Sequence, residues 1–171
     1  LQMYPRASFL HLTRHPPTQG KSTLELLSTY GERDTSPRKR EVDPEQTWLR
    51  SQQNIINFAQ GLAVGQYMRI KGETLLNNPN FYLAQICEWL GLSSDDASIE
   101  AMLHPETSPF AMIGPTSAPF GNDPNFLMQP KLDFERLARI KEGSLADDVQ
   151  WRPGETFSKP VMKLARQFGY R

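Results

Sequence analysis

The stretch Phe9–Thr23 reads FLHLTRHPPTQGKST and joins a short apolar run to the start of a helical pattern. Its last residues come close to a nucleotide-binding P-loop, which has the form G-x-x-x-x-G-K-[ST] between a strand and a helix. His15 stands where that motif needs its first glycine, and Pro16-Pro17 remove backbone N–H donors from the loop. A working P-loop is therefore disfavoured, and Arg14 is the better candidate for binding a phosphate.

Arg14 lies where a strand is expected to end. The run Ser8–Thr13 is bounded by prolines and predicts a buried strand, and a helical pattern begins at Thr18. In α/β sheets, ligands bind outside the carboxyl ends of the strands. We expect the planar guanidinium of Arg14, and the hydroxyl of Ser22 eight residues later in the first helical turn, to hold one phosphate monoester. On these residues alone, an ion pair between Arg14 and a carboxylate, with Ser22 as a helix cap, is an equal alternative.

The rest of the chain alternates helices with one more strand. The strand is predicted over 66–71, and helices are predicted over 44–61, 80–91, 95–103, 132–140 and 158–168. This alternation predicts an α/β fold with a parallel sheet in a single domain over residues 1–171. Because two strands are too few for such a sheet, we expect the domain to lack its N-terminal portion.

Two segments carry no periodic apolar pattern. Residues 31–44, GERDTSPRKREVDP, are densely charged, and we expect a mobile surface loop. Residues 104–130 are rich in Pro, Gly, Ser and Asn, and a long segment of this kind is either a lid over a ligand or a surface wrap.

Composition restricts the partners and the compartment. Lys plus Arg and Asp plus Glu both number 19, so no overall field attracts nucleic acid or an anionic membrane. Cys87 is the one cysteine, which argues against a disulfide framework or a cysteine-rich zinc site. The sequence contains no apolar run long enough to span a membrane and no signal-peptide pattern, so we expect a cytoplasmic protein that binds neither nucleic acid nor membrane.

The segment Pro5–Pro16, PRASFLHLTRHP, resembles the P-x-A-x-[FI]-[IL]-H-L-x-R-[DHN]-P stretch of sulfotransferases that use 3′-phosphoadenosine 5′-phosphosulfate (PAPS). In that family the arginine of this motif and a serine eight residues later hold the 3′-phosphate. The resemblance therefore implies that Arg14 and Ser22 bind the cofactor. It also implies a P-loop-like sulfotransferase fold, in which a parallel sheet carries helices on both faces.

Further segments are similar to the same family, namely Gln66–Leu76, Asn78-Pro79 and Ile86–Gly91. The segments Gly121–Leu127 and Phe157–Tyr170 are similar to bacterial members, although Asn122 stands where those members have glycine. Gly72 stands where many members have tyrosine, and Thr74 where they have aspartate, so no role of that tyrosine is carried over. The family's loop for the 5′-phosphosulfate would precede Leu1.

The resemblance implies transfer of a sulfuryl group from PAPS, without a metal, to a hydroxyl or an amine on a small-molecule or carrier-bound acceptor. His104 is the weak candidate for the general base; His11 is expected in the core, and His15 is expected to shape the turn. The alternatives are a kinase-like enzyme that uses a nucleoside triphosphate, and a non-catalytic interaction module that retains the fold.

Overall fold

The computed structural model describes residues 4–30, 42–108 and 144–171. These residues form two units, one made of residues 4–30, 42–73 and 144–171 and the other of residues 74–108. Residues 31–41 of the predicted charged loop, residues 109–130 of the predicted lid and the predicted helix over 132–140 lie outside the described residues. The single domain over residues 1–171 stays a prediction.

The first unit is built around two parallel strands. Strand β1 (Phe9–Thr13) pairs with strand β2 (Tyr67–Lys71), in a register that sets Phe9 opposite Tyr67 and Thr13 opposite Lys71. Side chains alternate along β1, so His11 and Thr13 are buried while Leu10 and Leu12 are exposed. The predicted α/β class with a parallel sheet is confirmed. Because the strands are parallel, the residues that follow Thr13 and Lys71 emerge at the same edge of the sheet.

The first helix begins earlier than the sequence pattern predicts. Helix α1 (Pro16–Tyr30) starts at the proline pair, not at Thr18. Proline suits the first helical positions because its φ is already helical and its missing N–H has no partner there. Ser22 consequently lies in the second turn of α1, which corrects its expected place in the first turn.

The buried carboxylate of Glu45 ties the start of a second helix to a distant segment. Helix α2 (Pro44–Ala59) is capped by Asp43, whose side chain accepts a hydrogen bond from the Glu45 N–H. Glu45 itself accepts from the Ser158 N–H at 2.6 Å and from Arg152. Charge-assisted hydrogen bonds of this kind satisfy the carboxylate away from water.

Strand β2 continues directly into helix α3 (Gly72–Asn77). The unit of residues 74–108 then contains helix α4 (Pro79–Leu90), helix α5 (Asp96–Leu103) and a short 3-10 helix (Pro105–Thr107). Gly91 ends α4 with a left-handed φ of 69°, and the Asp95 side chain caps α5 through the Ser98 N–H. Both helices were expected from the sequence.

The core of the first unit lies between α2 and the last helix, α6 (Lys159–Gln167). Helix α6 buries Val161, Leu164 and Ala165, at the three- and four-residue spacing of one helical face. Each fully buried large apolar side chain contributes roughly 1.5–3 kcal/mol to stability. The ten buried core residues are Trp48, Leu49, Leu145, Val149, Phe157, Val161, Leu164, Ala165, Phe168 and Tyr170.

A left-handed glycine directs the chain after α6 back into the protein. Gly169 has a φ of 86°, its N–H bonds the Arg166 carbonyl at 2.9 Å, and the Tyr170 N–H bonds the Ala165 carbonyl at 3.0 Å. This pair of bonds is a Schellman motif. It leaves Tyr170 1% exposed, with its hydroxyl 2.9 Å from Thr13 Oγ1 at the end of β1.

Gly20 allows the indole of Trp151 to pack directly on α1. A Cβ atom at Gly20 would lie 2.1 Å from the nearest ring carbon of Trp151, far inside van der Waals contact. The helix therefore needs glycine at this position, although glycine lowers helix propensity.

We predict that Gly20→Ala destabilises the protein. Alanine gains about 1 kcal/mol of helix propensity, but overpacking against the indole costs about 1–3 kcal/mol. Urea denaturation measures the difference. In a Trp151→Ala background, where the ring is absent, the same substitution should become stabilising. A stabilised Gly20→Ala single variant would contradict this packing.

Candidate functional site

The Arg14–His15 turn lies between the carboxyl end of β1 and the first residue of α1. Arg14 is partly buried, and its guanidinium forms no hydrogen bond or ion pair with any residue that the structure describes. The alternative in which Arg14 pairs with a carboxylate is therefore not realised among those residues. The five N–H donors of this side chain are available to a ligand.

Distant residues hold the backbone on both sides of Arg14 and at Arg14 itself. The Trp48 indole N–H donates to the Arg14 carbonyl at 2.9 Å. Glu73 Oε1 accepts from the His15 N–H at 2.8 Å. The hydroxyl of Thr13 lies 2.9 Å from that of Tyr170. The position of the Arg14 Cα is thus fixed by contacts that leave its guanidinium uncommitted.

The direction of these hydrogen bonds follows from the acceptor at one end. The Tyr170 hydroxyl lies 3.1 Å from Glu73 Oε2 and donates its proton to that carboxylate. Because the Tyr170 hydroxyl has then used its one proton, its oxygen can only accept a further hydrogen bond, and the Thr13 hydroxyl donates that bond. Glu73, Tyr170 and Thr13 are all buried, and in such a site the loss of one partner is costly.

His15 completes the buried side of the turn. Its side chain is fully buried, and its ring centroid lies 5.0 Å from that of Tyr170. This packing agrees with the expectation that His15 shapes the turn.

Ser22 is partly buried in the second turn of α1 and has no side-chain hydrogen bond to a described residue. It does not cap the helix, which corrects the alternative considered for it. Its position is about 9 Å along the helix axis from Pro16. Side chains in a helix tilt toward its N-terminus, and for α1 this is the end that follows the Arg14–His15 turn.

The Gly20-Lys21-Ser22 segment is helical and cannot act as a P-loop. A P-loop presents its lysine and serine where the loop meets the helix, whereas α1 has already begun at Pro16. Gly20 is buried under Trp151, and Lys21 is exposed. The motif therefore gives no support to the kinase-like alternative.

His11 is a satisfied core residue. Its Nε2 lies 2.7 Å from Gln52 Oε1, which makes this nitrogen the donor, and its Nδ1 accepts from the Tyr67 hydroxyl at 2.6 Å. Burial is the main cause that lowers the pKa of His11 below 6.5; the hydrogen bond that His11 donates to Gln52 opposes this shift, and the charge of Arg69 adds to it. These contacts make His11 a structural residue, as expected for the core.

His104 lies between two carboxylates in the unit of residues 74–108. Its ring nitrogens are 2.9 Å from Glu106 Oε1 and 3.1 Å from Glu100 Oε1. The hydrogen bond to Glu106, followed by that to Glu100, raises the pKa of His104 above 6.5. A general base must be unprotonated, so this local arrangement does not favour His104 in that role.

Sequence reasoning did not assign the residues that hold the turn. Glu73 lies in the segment Gln66–Leu76 that resembles the family, and a carboxylate directly after a strand at the edge that bears Arg14 is a signal that could have been read. Trp48 falls within a predicted helix, and Tyr170 within the segment Phe157–Tyr170 that resembles the family, but neither was given a role in the site.

A shallow surface depression of about 610 Å³, open to solvent, lies along α6 and is lined by Lys159, Met162, Lys163, Arg166 and Gln167. No residue of the Arg14–His15 turn contributes to it.

Within the described ranges, no helix is long and apolar enough to cross a membrane. In the same ranges, no group of three or more His, Cys, Asp or Glu side chains is placed to hold a metal ion.

Comparison with known proteins identifies the family. A model described as "Sulfotransferase family" matches residues 1–96, a range that contains both Arg14 and Ser22. The chain belongs to the sulfotransferase family. No curated protein matches it.

Two solved sulfotransferase domains have a similar fold. The domain from the curacin biosynthetic pathway superposes with a TM-score of 0.68 at 23% identity, over 97% of this chain and 54% of that one. The domain from the Synechococcus PCC 7002 olefin synthase gives a TM-score of 0.60 at 25% identity, over 96% of this chain and 50% of that one. The sulfotransferase fold predicted from the sequence is confirmed, and the chain spans about half the length of these two domains.

We predict that His104 titrates above pH 6.5 in the folded protein. Because its folded pKa is raised, its contribution to stability is complete below pH 6.5 and is lost as the pH rises through the folded value. An NMR titration of the ring measures the pKa directly. Glu106→Gln should lower it more than Glu100→Gln does, and a His104 pKa at or below 6.5 in the unsubstituted protein would contradict the arrangement.

Proposed function

We propose that the full-length protein transfers a sulfuryl group from PAPS to an acceptor hydroxyl, or less often an amine, and releases 3′-phosphoadenosine 5′-phosphate. Membership of the sulfotransferase family supports the class of reaction. Arg14 carries the proposal for this chain, because its backbone is held by Trp48 and its neighbours while its guanidinium has no partner among the described residues.

Arg14 is suited to the 3′-phosphate of the donor. A guanidinium presents parallel N–H groups that match two phosphate oxygens, and partial burial strengthens such a charge-assisted contact. The start of α1 follows directly and places the positive end of a helix beside the turn.

Side chains must provide most of the contacts to the phosphate, because α1 offers few backbone donors. Pro16 and Pro17 have no N–H, and the Gln19 N–H is bonded to the His15 carbonyl. Of the first three helical residues, only Thr18 has a backbone N–H to offer. The resemblance to the family implies that the Ser22 hydroxyl makes the second contact to the 3′-phosphate, and we propose that role for it.

In the proposed reaction the acceptor oxygen bonds to sulfur, the bond from sulfur to the 5′-phosphate oxygen breaks, and the proton of the acceptor passes to a base that remains to be identified. PAPS supplies the activated sulfuryl group, and the proposal includes no metal. Arg14 and Ser22 bind the opposite end of the nucleotide, so their contribution is affinity and orientation.

We propose that the acceptor is a small molecule or a group attached to a carrier. The protein itself is proposed to be cytoplasmic. The two similar solved domains belong to a biosynthetic pathway and an olefin synthase, which supports a biosynthetic acceptor.

We predict that Arg14→Ala weakens the binding of 3′-phosphoadenosine 5′-phosphate to the full-length protein. A hydrogen bond to a charged group contributes about 1.5–3 kcal/mol, which corresponds to about a tenfold to hundredfold change in Kd. Isothermal titration calorimetry gives the affinity, and 5′-AMP, which lacks the 3′-phosphate, should bind both proteins equally. Arg50→Ala is the matched control, because Arg50 is exposed on α2.

Unchanged affinity for 3′-phosphoadenosine 5′-phosphate in Arg14→Ala would refute the assignment. The same titrations test the alternatives. If the protein binds ATP with Mg²⁺ and does not bind 3′-phosphoadenosine 5′-phosphate (the bisphosphate), a kinase-like enzyme is indicated. If it binds none of these nucleotides, a non-catalytic module is indicated.

A further inference from the structure

We propose that the Tyr170 hydroxyl is a positioning group for the 3′-phosphate site. It acts on the backbone that carries Arg14, through Thr13 on one side and through Glu73 and His15 on the other. This inference rests on the proposed function, because it assigns a role in binding the 3′-phosphate to a residue that does not touch the phosphate.

The connection depends on a contact between residues that are far apart in the sequence. Tyr170 and Thr13 are 157 positions apart, yet their hydroxyl oxygens lie 2.9 Å from each other. The Schellman turn at Gly169 brings Tyr170 to this place. The residue after the last helix is therefore part of the frame on which the Arg14–His15 turn is built.

The hydroxyl and the ring of Tyr170 have separable roles. The ring packs beside His15 at 5.0 Å between centroids, and Lys71 Nζ lies 5.1 Å from the ring centroid. The hydroxyl alone bonds Glu73 Oε2 and Thr13 Oγ1. Tyr170→Phe keeps the ring and removes the hydroxyl that makes these two hydrogen bonds.

Loss of the hydroxyl should move Arg14 through the buried carboxylate. Glu73 uses one oxygen for Tyr170 and the other for the His15 N–H. A buried carboxylate that loses a donor is destabilised, which favours a rearrangement of the remaining hydrogen bonds. The His15 backbone would shift with it, and displacements of about 1 Å are enough to weaken a binding geometry substantially.

The test measures the affinities of full-length proteins for 3′-phosphoadenosine 5′-phosphate and for 5′-AMP by calorimetry. Tyr170→Phe should bind the bisphosphate about threefold to tenfold more weakly and bind 5′-AMP as the unsubstituted protein does. In an Arg14→Ala background, Tyr170→Phe should cause no further loss, since its effect passes through Arg14. Tyr4→Phe, at a tyrosine that is 70% exposed, is the matched control.

Thr13→Val provides a second variant that keeps the volume and should lower the affinity for the bisphosphate in the same direction. It tests the inference independently if Tyr170→Phe fails to fold. An equal loss of affinity for both nucleotides would indicate a general structural role and overturn the inference, as would an additive loss in the Arg14→Ala background.

The two proposals fail in different ways. An unsubstituted protein that binds the bisphosphate and 5′-AMP equally would overturn the 3′-phosphate site and the positioning role together. An unsubstituted protein that prefers the bisphosphate, with the same preference in Tyr170→Phe and Thr13→Val, would overturn the positioning role alone.

Discussion

The buried carboxylate of Glu73 is the interaction on which the candidate site depends. One oxygen accepts from the His15 N–H and the other from the Tyr170 hydroxyl, which joins the residues after β1, after β2 and after α6. Without it, a buried backbone donor and a buried hydroxyl would each lose a partner, and a buried group without its partner costs about 1–3 kcal/mol. Arg14, the residue before His15, forms no ion pair with this carboxylate.

The parallel register explains why these groups meet. Thr13 is opposite Lys71, so Arg14 and Gly72 leave the sheet at the same edge, and Glu73 follows at once. Gly72 permits this close approach: a Cβ atom there would lie 3.2 Å from the Thr13 carbonyl oxygen, which is a tight contact. The departure from the tyrosine found at this position in many sulfotransferases thus coincides with tight packing at the end of β1.

The sequence predicts those features that depend on local patterns. An apolar run bounded by prolines predicts β1, alternation predicts β2, and three- and four-residue spacing predicts α4 and α6. The position of Arg14 at a strand end follows from the prolines around the strand. The start of α1 was misplaced because two prolines read as a loop, although proline is favoured in a first helical turn. That error also put Ser22 one turn too near the N-terminus of the helix.

The polar contacts around Arg14 could not be predicted in this way. Its carbonyl bonds a tryptophan 34 positions away, and the His15 N–H bonds a carboxylate 58 positions away. Nothing in the spacing of apolar residues specifies which distant polar groups become buried together. For the same reason, the packing of the Trp151 indole against Gly20 was not expected.

The most direct measurement is a crystal structure of the full-length protein with 3′-phosphoadenosine 5′-phosphate bound. The account predicts Arg14 guanidinium nitrogens within about 2.7–3.2 Å of the 3′-phosphate oxygens, with the hydrogen bonds from His15 and Tyr170 to Glu73 retained. A 3′-phosphate bound elsewhere, or an Arg14 guanidinium paired with a carboxylate in the bound state, would contradict it.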